Sequence, residues 1–260
     1  MSKILFMMAL RSGSKGVKDK NIRPLGGMPL CAHAMRAVLN SRAYREGGSL
    51  LVNTDSEEYA RIANQYGATT PFLRPASMAG DSSPIRDSID YTFKFFEERG
   101  EAFDLFALVQ ATSPFTVSAD LDRAVAVLRN GLRVKSVISV TEADVPAVWC
   151  NTLDESLSMK DFLPKDIREK NRQELPKYYR VTGAVRMARW AEFRDNNYDW
   201  YFDDSQALII ECARSIDIDT EEDFLYAEFL MLSKGVGGGV VRTRPAQFYK
   251  SEAVAGPDEN

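Results

Sequence analysis

Two short stretches of this 260-residue chain carry residue types suited to phosphate chemistry. The first runs from Arg11 through Ser12-Gly13-Ser14-Lys15-Gly16 to Lys20-Asn21-Ile22-Arg23, and sets Arg11, Lys15, Lys18, Lys20 and Arg23 against one acid, Asp19. Gly13 and Gly16 would let backbone N–H groups approach an anion, and the cations would neutralise phosphate charge. The second stretch is Ser215-Ile216-Asp217-Ile218-Asp219-Thr220. In an extended segment alternate side chains share a face, so Asp217 and Asp219 point together while Ile216 and Ile218 point into the core. Two aligned carboxylates attract a hard cation, and Mg2+ characteristically uses one or two carboxylates together with phosphate oxygens. The competing reading is that Asp219 or Thr220 caps the following helix, which explains one acid and not two. The basic loop lacks the spacing of a Walker A sequence and of the dinucleotide-binding glycine pattern, so ATPase and dehydrogenase readings weaken.

Composition narrows the classes further. A hydrophobic fraction of 45% and a charged fraction of 27% are ordinary for a soluble globular protein and exclude collagen-like, coiled-coil and wholly disordered chains. A net charge of −4 argues against a protein devoted to nucleic acid, so a phosphate site must be a local basic patch. The apolar start, Ile4 to Leu10, is too short to span a bilayer, and no signal cleavage site follows it, which predicts a cytoplasmic protein without a membrane partner. Cys31, Cys150 and Cys212 are odd in number and far apart, so they read as thiols rather than a disulfide framework or a zinc site. His33 is the sole histidine and lies in an apolar stretch, which disfavours His-based triads.

Elements must place these residues together. Ile4 to Leu10 reads as a buried parallel strand ending in the basic loop. Helices are predicted over 29–39, 56–66, 90–99, 118–130 and 220–232, the last amphipathic, and strands over 49–53, 104–110, 136–140, 182–188 and 207–212. This alternation predicts an α/β fold with a doubly wound, mostly parallel sheet. From Thr141 to Arg180 the pattern breaks, with Trp149, Phe162, Leu163, Tyr178 and Tyr179 among charges and prolines. So many apolar side chains are out of place in a solvated linker, and the stretch reads as an excursion that packs on a second copy of the chain. The organisation is thus one domain over 1–234 that includes the excursion, and a Gly-rich tail over 235–260 expected to be mobile.

In chain order, Ala9-Leu10-Arg11-Ser12-Gly13-Ser14-Lys15-Gly16 with Lys20-Asn21-Ile22-Arg23, Phe72-Leu73-Arg74-Pro75-Ala76, Gln110-Ala111-Thr112-Ser113-Pro114 and Ser215-Ile216-Asp217-Ile218-Asp219-Thr220 resemble the motifs of the acylneuraminate cytidylyltransferases, or CMP-sialic acid synthetases. The resemblance covers about residues 3 to 232, and the joint occurrence of the motifs is far more specific than any one of them. It implies a Rossmann-like nucleotidyltransferase domain that transfers CMP from CTP to the anomeric hydroxyl of a nine-carbon 2-keto sugar acid, releases pyrophosphate and requires Mg2+. It further implies CTP contacts from Arg11, Ser14, Lys15, Lys20 and Asn21, nucleotide-side roles for Arg74, Asp81 and Ser82, and a sugar-side role for Gln110. Asp217 and Asp219 resemble the metal ligands, which with Arg11 and Lys20 complete the catalytic set. Arg172-Gln173 resembles a segment by which a homodimer's excursion approaches the sugar site.

Some positions depart from the family pattern, and they bear on the acceptor: Ala111 stands where Pro is usual, Asn53 where Ser is usual, and Thr182 opens a Thr-Gly-Ala where Asn-Gly-Ala is usual. Alternative acceptors are therefore legionaminate, pseudaminate or a phosphonate. More distant alternatives are an Asp-x-Asp glycosyltransferase, which the basic first loop disfavours, and a non-catalytic nucleotide sensor, which the intact carboxylate pair disfavours. The general base is left unassigned by the residues themselves.

Overall fold

The computed structural model describes residues 2–13, 16–80 and 83–234. Strand β1 (Ile4–Leu10) is apolar on both faces and opens the chain. After the basic loop come a two-residue hairpin, β2 (Pro24–Leu25) and β3 (Met28–Pro29), and helices α1 (Leu30–Asn40) and α2 (Arg42–Arg45). Strand β4 (Gly48–Thr54) leads to α3 (Glu57–Gln65), whose Ser56 side chain accepts from Tyr59 N as an N-terminal cap. Helix α4 (Ile85–Glu97), strand β5 (Leu105–Leu108), α5 (Ser118–Asn130) and β6 (Ser136–Glu142) continue the alternation. The chain then returns through β7 (Tyr179–Arg189), α6 (Trp190–Asp195), β8 (Ser205–Ile209) and α7 (Glu221–Lys234).

The six long strands form one sheet in the order β4-β1-β5-β7-β6-β8. β1 pairs in parallel with both β4 and β5, and β6 pairs in parallel with β8, whereas β7 runs antiparallel to both of its neighbours. The doubly wound, mostly parallel α/β sheet expected from the sequence is therefore present, with one reversed strand inside it. One face is covered by a core that joins Phe6 and Met8 to Met35, Tyr59, Leu121 and Leu128 of α1, α3 and α5. The other joins Leu5, Met7 and Phe106 to Phe93 and Trp190, whose rings stack 3.6 Å apart. β1 is buried on both sides because it lies between these two layers, which is why it reads as an unbroken apolar run.

Some elements differ from the sequence reading. α4 begins at Ile85, five residues before the expected start, because Pro84 sits at its N-terminal boundary, where a missing N–H costs nothing. α2 and α6 are short helices in stretches to which the sequence reading assigned no element. α7 is not amphipathic in the expected way: Phe224, Ala227 and Leu230 are buried, but Leu225, Tyr226, Phe229 and Leu232 are exposed. The excursion holds two short 3-10 turns, Ala147–Trp149 and Arg172–Glu174, and is exposed over most of its length. No helix among the described residues is long and apolar enough to cross a membrane. The expected tail at 235–260 lies outside the described residues.

Candidate active site

Chain connections run from β1 outward to β4, then back past β1 to β5, so the ends of β1 and β5 flank a point where the winding reverses. Such a point leaves a crevice beyond the strands' carboxyl ends. A cleft of about 470 Å3 opens there, and its lining includes Arg11, Lys20, Asn21, Arg74, Gln110, Asp217 and Asp219. Residues that are 208 positions apart in the sequence, Arg11 and Asp219, thus share one cavity. Ser14, Lys15, Asp81 and Ser82, also expected at the nucleotide, lie outside the described residues.

A small third core explains how the basic loop and the acidic segment meet. Val17 of the loop and Ile218, between the two aspartates, are both buried in it with Leu25, Leu30, Phe115 and Phe224. Burying Ile218 turns Asp217 and Asp219 outward, as the alternation requires, and both are exposed at the cleft. Lys20 spans the junction: its ammonium donates to the Ile218 carbonyl at 2.6 Å and to Asp219 Oδ1 at 2.8 Å. Gly16 is required by this contact, since a Cβ there would stand 2.3 Å from the Asp219 carbonyl oxygen. Gly13, by contrast, meets nothing within 4 Å.

The acidic segment is held from three further sides. The Ile218 N–H donates to the Thr112 carbonyl at 2.9 Å, and Arg180 donates to Ser215 Oγ at 2.8 Å. Arg214 forms an ion pair with buried Asp120 at the start of α5, with Nη2 3.2 Å from Oδ1. Burial pushes the Asp120 carboxyl up, but Arg214, Arg123 and the Val117 N–H outweigh it and hold the group below its ordinary range. The helix cap is made by neither of the paired acids: Asp223 Oδ2 accepts from Thr220 N at 2.9 Å and from Asp219 N at 3.1 Å, while Asp223 N donates to Thr220 Oγ1 at 3.2 Å. This reciprocal box satisfies the helix terminus and leaves the carboxylates of both Asp217 and Asp219 out of it.

Behind the other wall, Asp55 positions two elements of the site without lining the cleft itself, and motif spacing did not single it out. It sits just past β4, accepts from Ser12 N at 3.2 Å and Ser12 Oγ at 2.6 Å, and lies 3.5 Å from the Arg74 guanidinium. It therefore fixes the start of the basic loop and the orientation of Arg74 together. Arg74 is 5% exposed, donates to Ser88 Oγ at 2.8 Å, and leaves its Nε unpaired. Burial lowers its proton affinity and Asp55 opposes that shift; a guanidinium remains charged regardless. Asn21 is buried, and its Nδ2 donates to the Arg11 carbonyl at 3.1 Å, so it shapes the loop as well as lining the cleft.

Gln110 follows β5 and is positioned by β7. Between Ile138 and Val140 the pairing of β6 with β7 jumps from Arg186 to Val181, so one residue of β6 faces four of β7. Ser139 fills the gap, with its hydroxyl accepting from Val185 N at 2.9 Å and from Thr182 Oγ1 at 2.8 Å. The bulge presses Gly183 against Gln110: a Cβ on Gly183 would stand 1.8 Å from Gln110 Oε1. Asn53 does not itself reach the cleft lining; it is fully buried and donates to Ser88 O and Thr92 Oγ1, each at 3.0 Å, bracing β4 on α4.

Arg172 and Gln173 are not brought to this cleft. Arg172 lines a separate hollow of about 440 Å3 with Glu142, Asp144, Lys177 and Tyr179, and its Nη2 donates to the Ala143 carbonyl at 3.4 Å; Gln173 is exposed. A contribution from this pair must therefore come from elsewhere than its own chain's cleft. His33 is buried with Nε2 2.8 Å from the Leu25 carbonyl, and burial lowers its pKa, which suits a core histidine and not a base. Cys31 is buried and its thiol is pushed up to about 12. Among the described residues no group of three or more His, Cys, Asp or Glu is clustered for a metal ion, so a cation here would rest on the Asp217 and Asp219 pair plus ligand oxygens. That donor set fits a hard divalent ion, and the Lys20 ammonium already places positive charge against Asp219.

A cytidylyltransferase family profile matches residues 6–199. A CMP-N,N'-diacetyllegionaminic acid synthase of Legionella pneumophila is 35% identical over 232 residues, which cover 88% of this chain and 96% of that protein. An N-acylneuraminate cytidylyltransferase of Escherichia coli is 31% identical over 223 residues, 86% of this chain and 51% of that longer protein. Among solved structures, a CMP:2-keto-3-deoxy-manno-octonic acid synthetase complexed with CTP aligns with a TM-score of 0.65 at 12% identity, covering 89% of this chain and 99% of that one.

Proposed function

The chain belongs to the cytidylyltransferase family of nucleotidyltransferases, and from that membership we propose that it transfers CMP from CTP to the anomeric hydroxyl of a nine-carbon 2-keto sugar acid, releasing pyrophosphate. The observation that carries the reading is the single cleft lined by Arg11, Lys20, Arg74, Gln110, Asp217 and Asp219. Two relatives above 30% identity are named for legionaminate and acylneuraminate, and both acids are of this class.

In this reaction the acceptor oxygen forms a bond to the α-phosphorus as the bond to the β-phosphate oxygen breaks, and negative charge gathers on the departing pyrophosphate. Arg11 and Lys20, at the carboxyl end of β1, stand where that charge must be met, and they are held in advance by Asn21 and by the Ile218 carbonyl. Arg74, locked by Asp55 and Ser88, orients the nucleotide against the same loop. Gln110, held by Gly183, offers amide donors and an acceptor to sugar hydroxyls. Asp217 and Asp219 would hold Mg2+, which when bound supplies charge neutralisation and polarisation at the phosphates. The acceptor's proton must leave to a base, and among the described residues the carboxylates that line the cleft are those of Asp217 and Asp219.

The deciding experiment follows pyrophosphate release from CTP with Mg2+ and a panel containing N-acetylneuraminate, N,N'-diacetyllegionaminate, pseudaminate and 2-keto-3-deoxy-octonate. Release that depends on a nine-carbon acid is the expected result. Release only with the eight-carbon acid, or none with any 2-keto acid, overturns the acceptor class.

A further inference from the structure

Of the three arginines on strand β7, Arg186 and Arg189, three residues apart, have opposite surroundings. Arg189 donates to the carbonyls of Leu128 at 2.6 Å, Val134 at 2.9 Å and Gly131 at 3.3 Å, closing the end of α5. Arg186 has no counterpart to these acceptors: its Nε is buried and unpaired, and its guanidinium forms no hydrogen bond or ion pair among the described residues. Its backbone lies in the middle of the sheet, in register with Leu108 of β5 on one side and Ile138 of β6 on the other, both buried. Arg186 is half-buried: its Nε is out of water and unpaired while the rest of the fork still reaches solvent, so the guanidinium can take an anion that approaches from the cleft side.

The position borders the cleft. Leu108, the last residue of β5 and directly across from Arg186, lines it, and Gln110 lies two residues further along the chain, just past the strand. β7 also supplies Gly183, which packs on Gln110, so one strand shapes both the amide and its cationic neighbour. Two other cations of the cleft are engaged by carboxylates, Lys20 by Asp219 and Arg74 by Asp55, on the side of the basic loop. Arg172 sits in a different hollow.

We propose that Arg186 binds the carboxylate of the acceptor, so that recognition of the sugar as an acid is made within one chain, from the reversed strand beside Gln110. A guanidinium presents a planar fork that matches a carboxylate with two parallel hydrogen bonds, which selects a 2-keto acid over the neutral sugar of the same shape. The proposal rests on the sugar-acid function argued above and names the contact that enforces it.

The test compares full-length wild type, Arg186→Gln, Arg186→Lys and Arg172→Gln in initial-rate assays with CTP, Mg2+ and the nine-carbon acid that the wild type uses best, alongside the carboxamide of that acid. Arg186→Gln is expected to raise the KM for the acid by about ten-fold or more while the KM for CTP stays within about two-fold, with partial recovery in Arg186→Lys. The carboxamide is expected to be a poor acceptor for the wild type and no poorer for Arg186→Gln. CTP binding by calorimetry verifies that each variant is folded. An unchanged KM for the acid in Arg186→Gln, or equal further loss with acid and carboxamide, overturns the proposal, and a rise confined to Arg172→Gln assigns the carboxylate to the excursion instead. A wild type that binds CTP but transfers CMP to no 2-keto acid overturns the function itself, and that outcome is visible before any substitution is made.

Discussion

The basic loop and the acidic segment hold each other, whereas the excursion between β6 and β7 holds little beyond itself. In the first region Lys20, Gly16 and Val17 engage Ile218 and Asp219 through an ion pair, a close backbone approach and a shared core. In the second, Leu153, Leu157 and Met159 are each more than half exposed, and Asn151 through Lys160 lack helix or strand. The difference separates what one chain can complete from what it cannot. The side of the cleft that carries the basic loop is assembled in advance by contacts within the chain, and preorganised charge is what phosphoryl transfer rewards. The excursion presents apolar surface that an isolated chain leaves in water, which is the condition expected of a surface awaiting a partner.

The largest effect should come from breaking the first region's chemistry without its structure. Asp217→Asn and Asp219→Asn are expected to lower turnover by roughly two or more orders of magnitude, with thermal stability nearly unchanged, because Thr220 and Asp223 make the helix cap and Ile218 makes the core. Chelation of divalent ions should reproduce the loss in the wild type. Full turnover in chelated enzyme, or in both variants, removes the metal role.

Next in size is a change at the excursion. The homodimer expected from sequence predicts that Leu157→Asp with Met159→Asp weakens association by about ten-fold or more, read by light scattering across micromolar concentrations. These residues are better anchors than Trp149, Phe162, Leu163 and Tyr178, which the sequence suggested and which are partly buried within their own chain. A wild-type monomer at all concentrations would show that the apolar surface serves something other than a second copy.

Gly183→Ala sits between the two regions in effect. Its Cβ would overlap the Gln110 amide, so Gln110 must move. The KM for the acceptor should rise about ten-fold, the KM for CTP should hold, and overpacking should cost about 1–3 kcal/mol of stability. A variant with both constants unchanged would show that the Gln110 amide is not used by the acceptor.

Legibility followed the same division. β1 and α5 occupy the stretches read from sequence, because an apolar run between two layers and a capped 3.6-residue period are local signals. Seven of the site residues proposed from motifs, Arg11, Lys20, Asn21, Arg74, Gln110, Asp217 and Asp219, meet in one cleft. Asp55 and Gly183 were missed because their reasons lie in other elements: Asp55 is defined by Ser12 and Arg74, and Gly183 by the approach of β7 to Gln110. No period or spacing within a single stretch encodes such contacts. Gly16 was read from sequence as easing the approach of an anion, and the demand that the fold places on it comes from a carbonyl of the acidic segment. The outer face of α7 was misjudged because the helix carries apolar residues on more than one side, and a period count does not say which side is covered.

The smallest effect expected is the one that tests whether the acidic segment's order and its chemistry are separate. Asp223 accepts from the N–H groups of Asp219 and Thr220 and from the Thr220 hydroxyl. Burial works to raise its pKa, but these donors and nearby Lys20 prevail, and the carboxyl lies below its ordinary 3.8. Because the folded-state pKa is depressed, the stabilisation is fully present above the unfolded-state value and is lost as the pH falls through the folded-state pKa. Asp223→Ala should therefore cost about 1 kcal/mol at neutral pH, a typical cap, and lower Tm by about 2–4 °C for a domain of this size. Wild type and variant should converge in Tm as the pH drops below the carboxylate range. Turnover at 25 °C and neutral pH should stay within about two-fold, since the core at Ile218 and the Lys20 bridge still hold both aspartates at the cleft. A loss of activity as large as that of Asp217→Asn, with so small a change in Tm, would place Asp223 among the groups that act on the nucleotide and would end the distinction between the cap and the pair.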